Sequence, residues 1–171
     1  MTPEGEARLE HAAALREQGE LDEARTILLE LRAEFPKDAR IAVQTAWVHD
    51  SLGLEDDAVE HYEVAIAGDL TDDDLRGALL GLGSTYRALG RDDDSARTFR
   101  TATERFPDDL ALRVFRALTN YNRGHSRDAV ADLVRVLLES TSDLSILRYR
   151  RSLAAYAEDL DRSWLGVNPG Q

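Results

Sequence analysis

Residues 82–107 read LGSTYRALGRDDDSARTFRTATERFP. The stretch describes two short helices joined at Gly90. Glycine permits the left-handed backbone that ends a helix. Asp92, Asp93 and Asp94 follow at once, and negative charge in a first helical turn is favoured by the helix dipole and the free amides there. Pro107 ends the second helix, because proline cannot continue one. Gly83 and Ser95 are both small and stand on opposite arms of the hairpin, so the arms can approach closely. Phe99 is large enough to fill the space beside that approach.

The same arrangement occurs three more times. The turn ALGRDDDS (88–95) aligns with EQGELDEA (17–24), SLGLEDDA (51–58) and NRGHSRDA (122–129). The turn glycines are Gly19, Gly53, Gly90 and Gly124, spaced 34, 37 and 34 residues apart. Seven residues before each glycine stand Ala12, Ala46, Gly83 and Ala117. Five after it stand Ala24, Ala58, Ser95 and Ala129. Nine after it stand the large residues Leu28, Tyr62, Phe99 and Leu133, and twelve after it Leu31, Ala65, Ala102 and Val136. Seventeen after it stand Pro36, Leu70, Pro107 and Thr141, so the second and fourth copies lack the closing proline.

A period of 34 residues with a helix on each side of the glycine resembles the tetratricopeptide repeat. The resemblance covers roughly residues 4–141 and is strongest in the third copy, through Leu82, Gly83, Tyr86, Gly90, Phe99, Ala102 and Pro107. Four residues before the glycine, where the family favours Tyr, the chain has Leu15, His49, Tyr86 and Asn120. The family's early Trp is missing from every copy. The resemblance implies an all-α fold, a right-handed superhelical array of about four antiparallel helix pairs plus a C-terminal capping helix. The chain also resembles small bacterial stand-alone repeat proteins of this kind.

Helices are expected near 4–18, 21–34, 38–51, 54–68, 73–89, 92–105, 108–123 and 126–139. Thr2 precedes Pro3, a favoured first-turn residue, and Asp38, Thr71 and Asp108 stand where caps belong. The three extra residues between copies two and three fall in GDLTDDDLRG and read as a longer loop. A ninth helix is expected from about 143 to 162, with Leu144, Leu147, Leu153, Tyr156 and Leu160 covering the last repeat's open face. One domain is expected over 1–163, with repeats at about 4–37, 38–70, 75–108 and 109–141 and a loosely held tail at 164–171.

Composition narrows the function. With 21 Lys and Arg against 33 Asp and Glu, the net charge is −12. A phosphate backbone demands clustered positive charge, so no nucleic-acid partner is expected, and an anionic membrane surface repels such a chain. The absence of Cys removes disulfides, thiol nucleophiles and Cys-ligated zinc. The N-terminus has no positive start and no apolar run, so no signal peptide is expected. No stretch approaches the roughly 20 apolar residues needed to span a bilayer. These features point to the cytoplasm.

Chemistry is thin. The runs Glu55-Asp56-Asp57, Asp72-Asp73-Asp74 and Asp92-Asp93-Asp94 suggest metal ligands at first sight. Each begins a helix, however, and none has the spacing of a calcium loop. His11, His49, His61 and His125 are scattered, and none forms an H-E-x-x-H pair. His49 falls at a core-facing position and reads as a half-buried packing residue. The glycines of GALLGLGSTY lie within a helix and read as close packing with local flexibility. No catalytic residue, metal ligand or cofactor is expected.

In the family that the chain resembles, the first helix of each repeat lines a concave face. Carried over at ten, six and three residues before each glycine, this implies a stripe. It runs Leu9, Ala13 and Arg16; Val43, Trp47 and Asp50; Leu80, Ser84 and Arg87; Val114, Leu118 and Tyr121. Arg40 and Asn122 lie at its edges. These offsets are three and four apart and share one helix face. Trp47 is the largest member, and aromatics anchor interfaces disproportionately. Arg16, Arg40 and Arg87 are suited to ligand carboxylates. The alternative is that the aliphatics pack between neighbouring first helices, leaving only Trp47 and Tyr121 in solvent. The Lys and Asn pair with which some family members hold a C-terminal carboxylate has no counterpart here. Arg148, Arg150 and Arg151 form a basic patch for an acidic partner, the chain's own acidic surface, or Glu158 and Asp159.

The leading functional expectation is therefore a scaffold or adaptor that holds a peptide or helix of a partner protein in its groove. Self-association into a homodimer is the second reading. A small enzyme or metal carrier is the third.

Overall fold

The structure is a computed structural model that describes residues 1–161. The described residues form ten helices and no strand, arranged as two compact units, 1–106 and 107 onward. The first unit holds three antiparallel helix pairs: α1 (Pro3–Gln18) with α2 (Leu21–Glu34), α3 (Ala39–Ser51) with α4 (Glu55–Ile66), and α5 (Asp72–Ala88) with α6 (Asp92–Arg105). The second unit holds α7 (Leu110–Asn122) paired with α8 (Ser126–Ser140), then α9 (Leu144–Leu147) and α10 (Arg150–Glu158). The architecture is a helical repeat array.

The repeated glycines close every first helix in the same way. Gly19, Gly53, Gly90 and Gly124 all have positive φ, between 71° and 84°. The amide after each glycine then bonds back to the carbonyl four residues before it: Glu20 to Leu15, Leu54 to His49, Arg91 to Tyr86 and His125 to Asn120, at 2.8–2.9 Å. This is the six-to-one bond of a left-handed helix stop. It turns the chain back on itself at each copy.

The small residues lie where the paired helices cross. Ala12, Ala46, Ala117, Ala24, Ala58 and Ser95 are fully buried, and Ala129 nearly so. The Ser95 hydroxyl donates to the Gly83 carbonyl at 2.7 Å, tying α6 to α5 at their closest approach. Leu28, Tyr62 and Phe99 are buried completely beside these crossings. In the second unit the equivalent Leu133 is only half-buried.

The glycines of α5 are close-packing residues. Gly77 lies against Trp47, Gly81 against Tyr62 and Gly83 against Phe99, and a methyl group on any of the three would overlap the facing ring. One helix thus yields space to three aromatic side chains from other helices.

Three boundaries differ from the sequence expectation. The three extra residues before α5 do not make a long loop. The connection 67–71 is one residue longer than 35–38 and α5 is four residues longer than α3, 17 against 13, while α4 is two shorter than α2, 12 against 14. Thr71 accepts from Asp74 N at 3.1 Å, and three aspartates occupy the first turn, so the helix nucleates a turn early. The cap of α7 is Asp109 rather than Asp108; its carboxylate accepts from Leu112 N at 3.0 Å. The expected ninth helix is two. Tyr149 N bonds to Ile146 O at 2.9 Å, a tightened three-residue step that breaks the α-helical ladder. The apolar residues expected to cover the last repeat are divided as a result: Leu153 is half-buried against α8, while Leu144 is 80% exposed. The expected tail, 164–171, and the expected end of the ninth helix at 162 lie outside the described residues.

Arg150 of the basic patch reaches the Leu138 carbonyl near the end of α8. A cation there complements the negative end of the helix dipole. Arg150 also draws the Glu139 carboxyl below its ordinary range, after the larger effect of the Arg113 hydrogen bond. Arg148 and Arg151 are exposed.

Candidate functional site

In the first unit, α1, α3 and α5 lie side by side, because α3 touches both α1 and α5. Their shared face carries the amino-terminal three-quarters of the predicted stripe. Leu9 and Val43 are buried, 8% and 1% exposed, and belong to the apolar core clusters rather than to an open surface. Leu80, Ala13 and Ser84 are half-buried. Arg40 is exposed but occupied: both its terminal nitrogens donate to Glu6, at 3.0 and 2.8 Å, and it also meets its own cap residue Asp38. That bond holds the Glu6 carboxyl below its ordinary range.

Trp47 forms the centre of this face. The Arg16 guanidinium lies over its ring at 5.1 Å from the centroid. Arg16 Nε donates to Gln44 Oε1 at 3.0 Å, which fixes the guanidinium over the indole. The indole also lies against Gly77, where the missing side chain makes room for it. Arg16, Trp47 and Gly77 come from three successive repeats.

Asp50 forms the second feature. Tyr62 Oη donates to Asp50 Oδ2 at 2.7 Å, and Thr85 Oγ1 lies 2.8 Å from Asp50 Oδ1 and 2.9 Å from the Gly81 carbonyl. Both carboxylate oxygens are thus held by hydroxyls from α4 and α5. Burial pushes the Tyr62 phenol far above its usual range, and the Asp50 charge beside it adds to the effect. Further along, Ser84 Oγ and Arg87 Nε are buried with no hydrogen-bond partner.

The remaining predicted residues belong to the second unit. Val114 and Leu118 are half-buried on α7, Tyr121 is 63% exposed and Asn122 is exposed. Gln44, Gly77, Tyr62 and Thr85 were not among the predicted site residues. The spacing of Gly77 within GALLGLG was the available signal, since a helix interior tolerates glycine poorly without a packing reason.

The acidic runs stand in the first turns of α4, α5 and α6, as helix starts. Among the described residues, no group of three or more His, Asp and Glu is placed to hold a metal ion. His49 is buried more deeply than expected, 2% exposed. Its Nδ1 contacts the Thr45 carbonyl at 2.8 Å, and Arg25 Nε donates to its Nε2 at 3.3 Å, which makes Nδ1 the protonated nitrogen. The His61 ring lies 4.9 Å away. Burial, His49 and Arg32 lower the pKa of His61 to about 4. No helix of the described residues is long and apolar enough to cross a membrane.

A family model described as "Tetratrico peptide repeat" matches residues 39–160, and one described as "Tetratricopeptide repeat" matches residues 6–38. No curated protein sequence matches the chain. Among solved structures, the chain is similar to a mutant of MamA, with TM-score 0.67 and 17% identity over 77% of this chain and 75% of that one. It is also similar to YrrB, with TM-score 0.70 and 16% identity over 91% of this chain and 78% of that one. The family models span the four hairpins, and the left-handed glycines and crossing-point small residues stand at the family's fixed places: the chain belongs to the tetratricopeptide repeat family.

Proposed function

We propose that the protein is a non-catalytic cytoplasmic adaptor whose face of α1, α3 and α5 holds a segment of a partner protein. The observation that carries this reading is the Arg16–Trp47–Gly77 stack. A half-buried indole clamped between a guanidinium and a glycine seat loses little freedom when a ligand arrives. Preorganised aromatic anchors of this type supply much of the energy of protein interfaces. YrrB is described as having an unusual peptide-binding site, which supports a peptide-holding role for the fold without assigning residues here. The full chain, used as bait in its native cell extract, is expected to retain a defined partner that a Trp47→Ala bait loses. Equal recovery by both baits, with matching circular dichroism and melting temperature, overturns the assignment to this face.

Self-association is the second reading, and a different observation favours it. The second unit exposes Tyr121, Leu137, Leu144, Tyr149 and Tyr156, each at least 40% accessible. Exposed apolar residues in such number in one small unit suit an interface. A strict monomer by light scattering at tens of micromolar removes this reading.

A further inference from the structure

The arithmetic of charge makes one feature of the α1–α3–α5 face informative. Acidic residues outnumber basic ones 33 to 21, so a carboxylate without a cation is expected in this chain, whereas a guanidinium without a carboxylate is not. Most other arginines that bridge helices are paired: Arg8 with Glu30 and Glu34, Arg40 with Glu6, Arg105 with Asp72 and Arg113 with Glu139. Arg16 and Arg87 lack such a cross-helix carboxylate; Arg25, which donates to His49, lacks one too but stands on α2, off this face. The nearest carboxylate to Arg16 is its sequence neighbour Glu17, 3.8 Å away and 73% exposed, and successive helical residues do not share a face. Arg87 pairs with no carboxylate among the described residues, and its Nε is buried unsatisfied. Asp50, at the corresponding place in the intervening repeat, has a hydroxyl at each oxygen, those of Tyr62 and Thr85.

Resting on the groove reading above, we propose that the partner segment is acidic, with its carboxylates meeting Arg16 and Arg87 and an apolar side chain lying beside Trp47. Guanidinium and carboxylate form the strongest class of hydrogen bond available on such a face. Gln44 already orients Arg16, so little order remains to be imposed on binding. A cation approaching the indole, by contrast, meets the guanidinium already above it.

The test is panning of a random dodecapeptide library on the full chain, on an Arg16→Gln/Arg87→Gln double variant and on Trp47→Ala. The wild-type pool is expected to be enriched in Asp and Glu, and individual acidic peptides to lose about tenfold or more in affinity on the double variant. Enrichment in Lys and Arg overturns the proposal, as does acidic enrichment that survives in the double variant. Either result leaves the groove standing provided Trp47→Ala abolishes capture. Peptides that bind Trp47→Ala as well as wild type, or no enrichment at all, overturn the groove itself. A single-tryptophan Trp164→Phe background, in which only Trp47 fluoresces, reports binding of each selected peptide at the predicted place.

Discussion

Gly83 sits where α5 and α6 come closest, so Gly83→Ala measures how tightly the repeat is built. A Cβ there would stand 2.6 Å from both Cε2 and Cζ of Phe99 and 3.0 Å from its Cδ2. Carbon atoms prefer about 3.5–4.0 Å, so ring and methyl must separate by roughly an ångström. Phe99 is completely buried and has no solvent to move into. The Ser95–Gly83 hydrogen bond of 2.7 Å opposes any parting of the helices. Overpacking of this kind costs about 1–3 kcal/mol. Replacing a helical glycine by alanine returns up to about 1 kcal/mol. The net expectation is a loss of about 1–2 kcal/mol, or a fall in Tm of roughly 2–8 °C for a chain of this size. Urea titration followed by far-ultraviolet circular dichroism reads it directly. Phe99→Leu removes the clashing ring atoms, so the double variant should be more stable than the two single losses added together, by about 1 kcal/mol. A Gly83→Ala protein as stable as wild type, or strict additivity in the double variant, refutes the close-crossing account.

Three further outcomes follow from other contacts. The pKa of His61 is lowered to about 4 from an ordinary value of 6.5, so the unfolded chain takes up a proton first as pH falls. The contribution of neutral His61 is complete above about pH 6.5 and is lost towards pH 4. Discounted for its partial exposure, that loss is about 1–2 kcal/mol. Urea titrations at pH 4.5 and 7 should show a smaller difference for His61→Asn than for wild type. Asp50→Ala leaves the buried Tyr62 hydroxyl without its acceptor and should cost about 1–3 kcal/mol by the same titration; an unchanged midpoint contradicts the assigned network. Thr71→Ala removes the cap that begins α5 early and should cost about 1 kcal/mol, with the amides of 73–75 exchanging faster with solvent.

The repeat architecture was legible from residues 82–107 and their three echoes because its signals are local. A glycine that takes positive φ, an aspartate in a first turn and a threonine before one each act within a few residues of themselves. Small residues at fixed offsets marked the crossing points for the same reason: two antiparallel helices joined by a short turn have one way to meet. Sequence suggests one ninth helix because Leu144, Leu147 and Leu153 fit a helical period, and periodicity does not register the tightened step at Tyr149. The spare residues before α5 read as loop because their number is visible in sequence, whereas the turn they add to the helix depends on the Thr71 bond to Asp74 N.

The candidate face was legible only as a register. Its position on the first helices could be placed by counting back from each glycine, and Trp47 and the arginines fell on it. Which of those arginines is spoken for could not be read, because the deciding contacts join residues 28 to 35 apart in the chain: Arg16 to Gln44, Arg40 to Glu6, and Thr85 to Asp50. Sequence by itself determined that the chain is a string of helical hairpins with a repeated turn. Tertiary structure alone decided that Arg40 is neutralised, that Asp50 is held by two hydroxyls, and that Arg16 is held over an indole seated on Gly77. Hairpins form from interactions between near neighbours, whereas a binding face forms from side chains that only packing brings together.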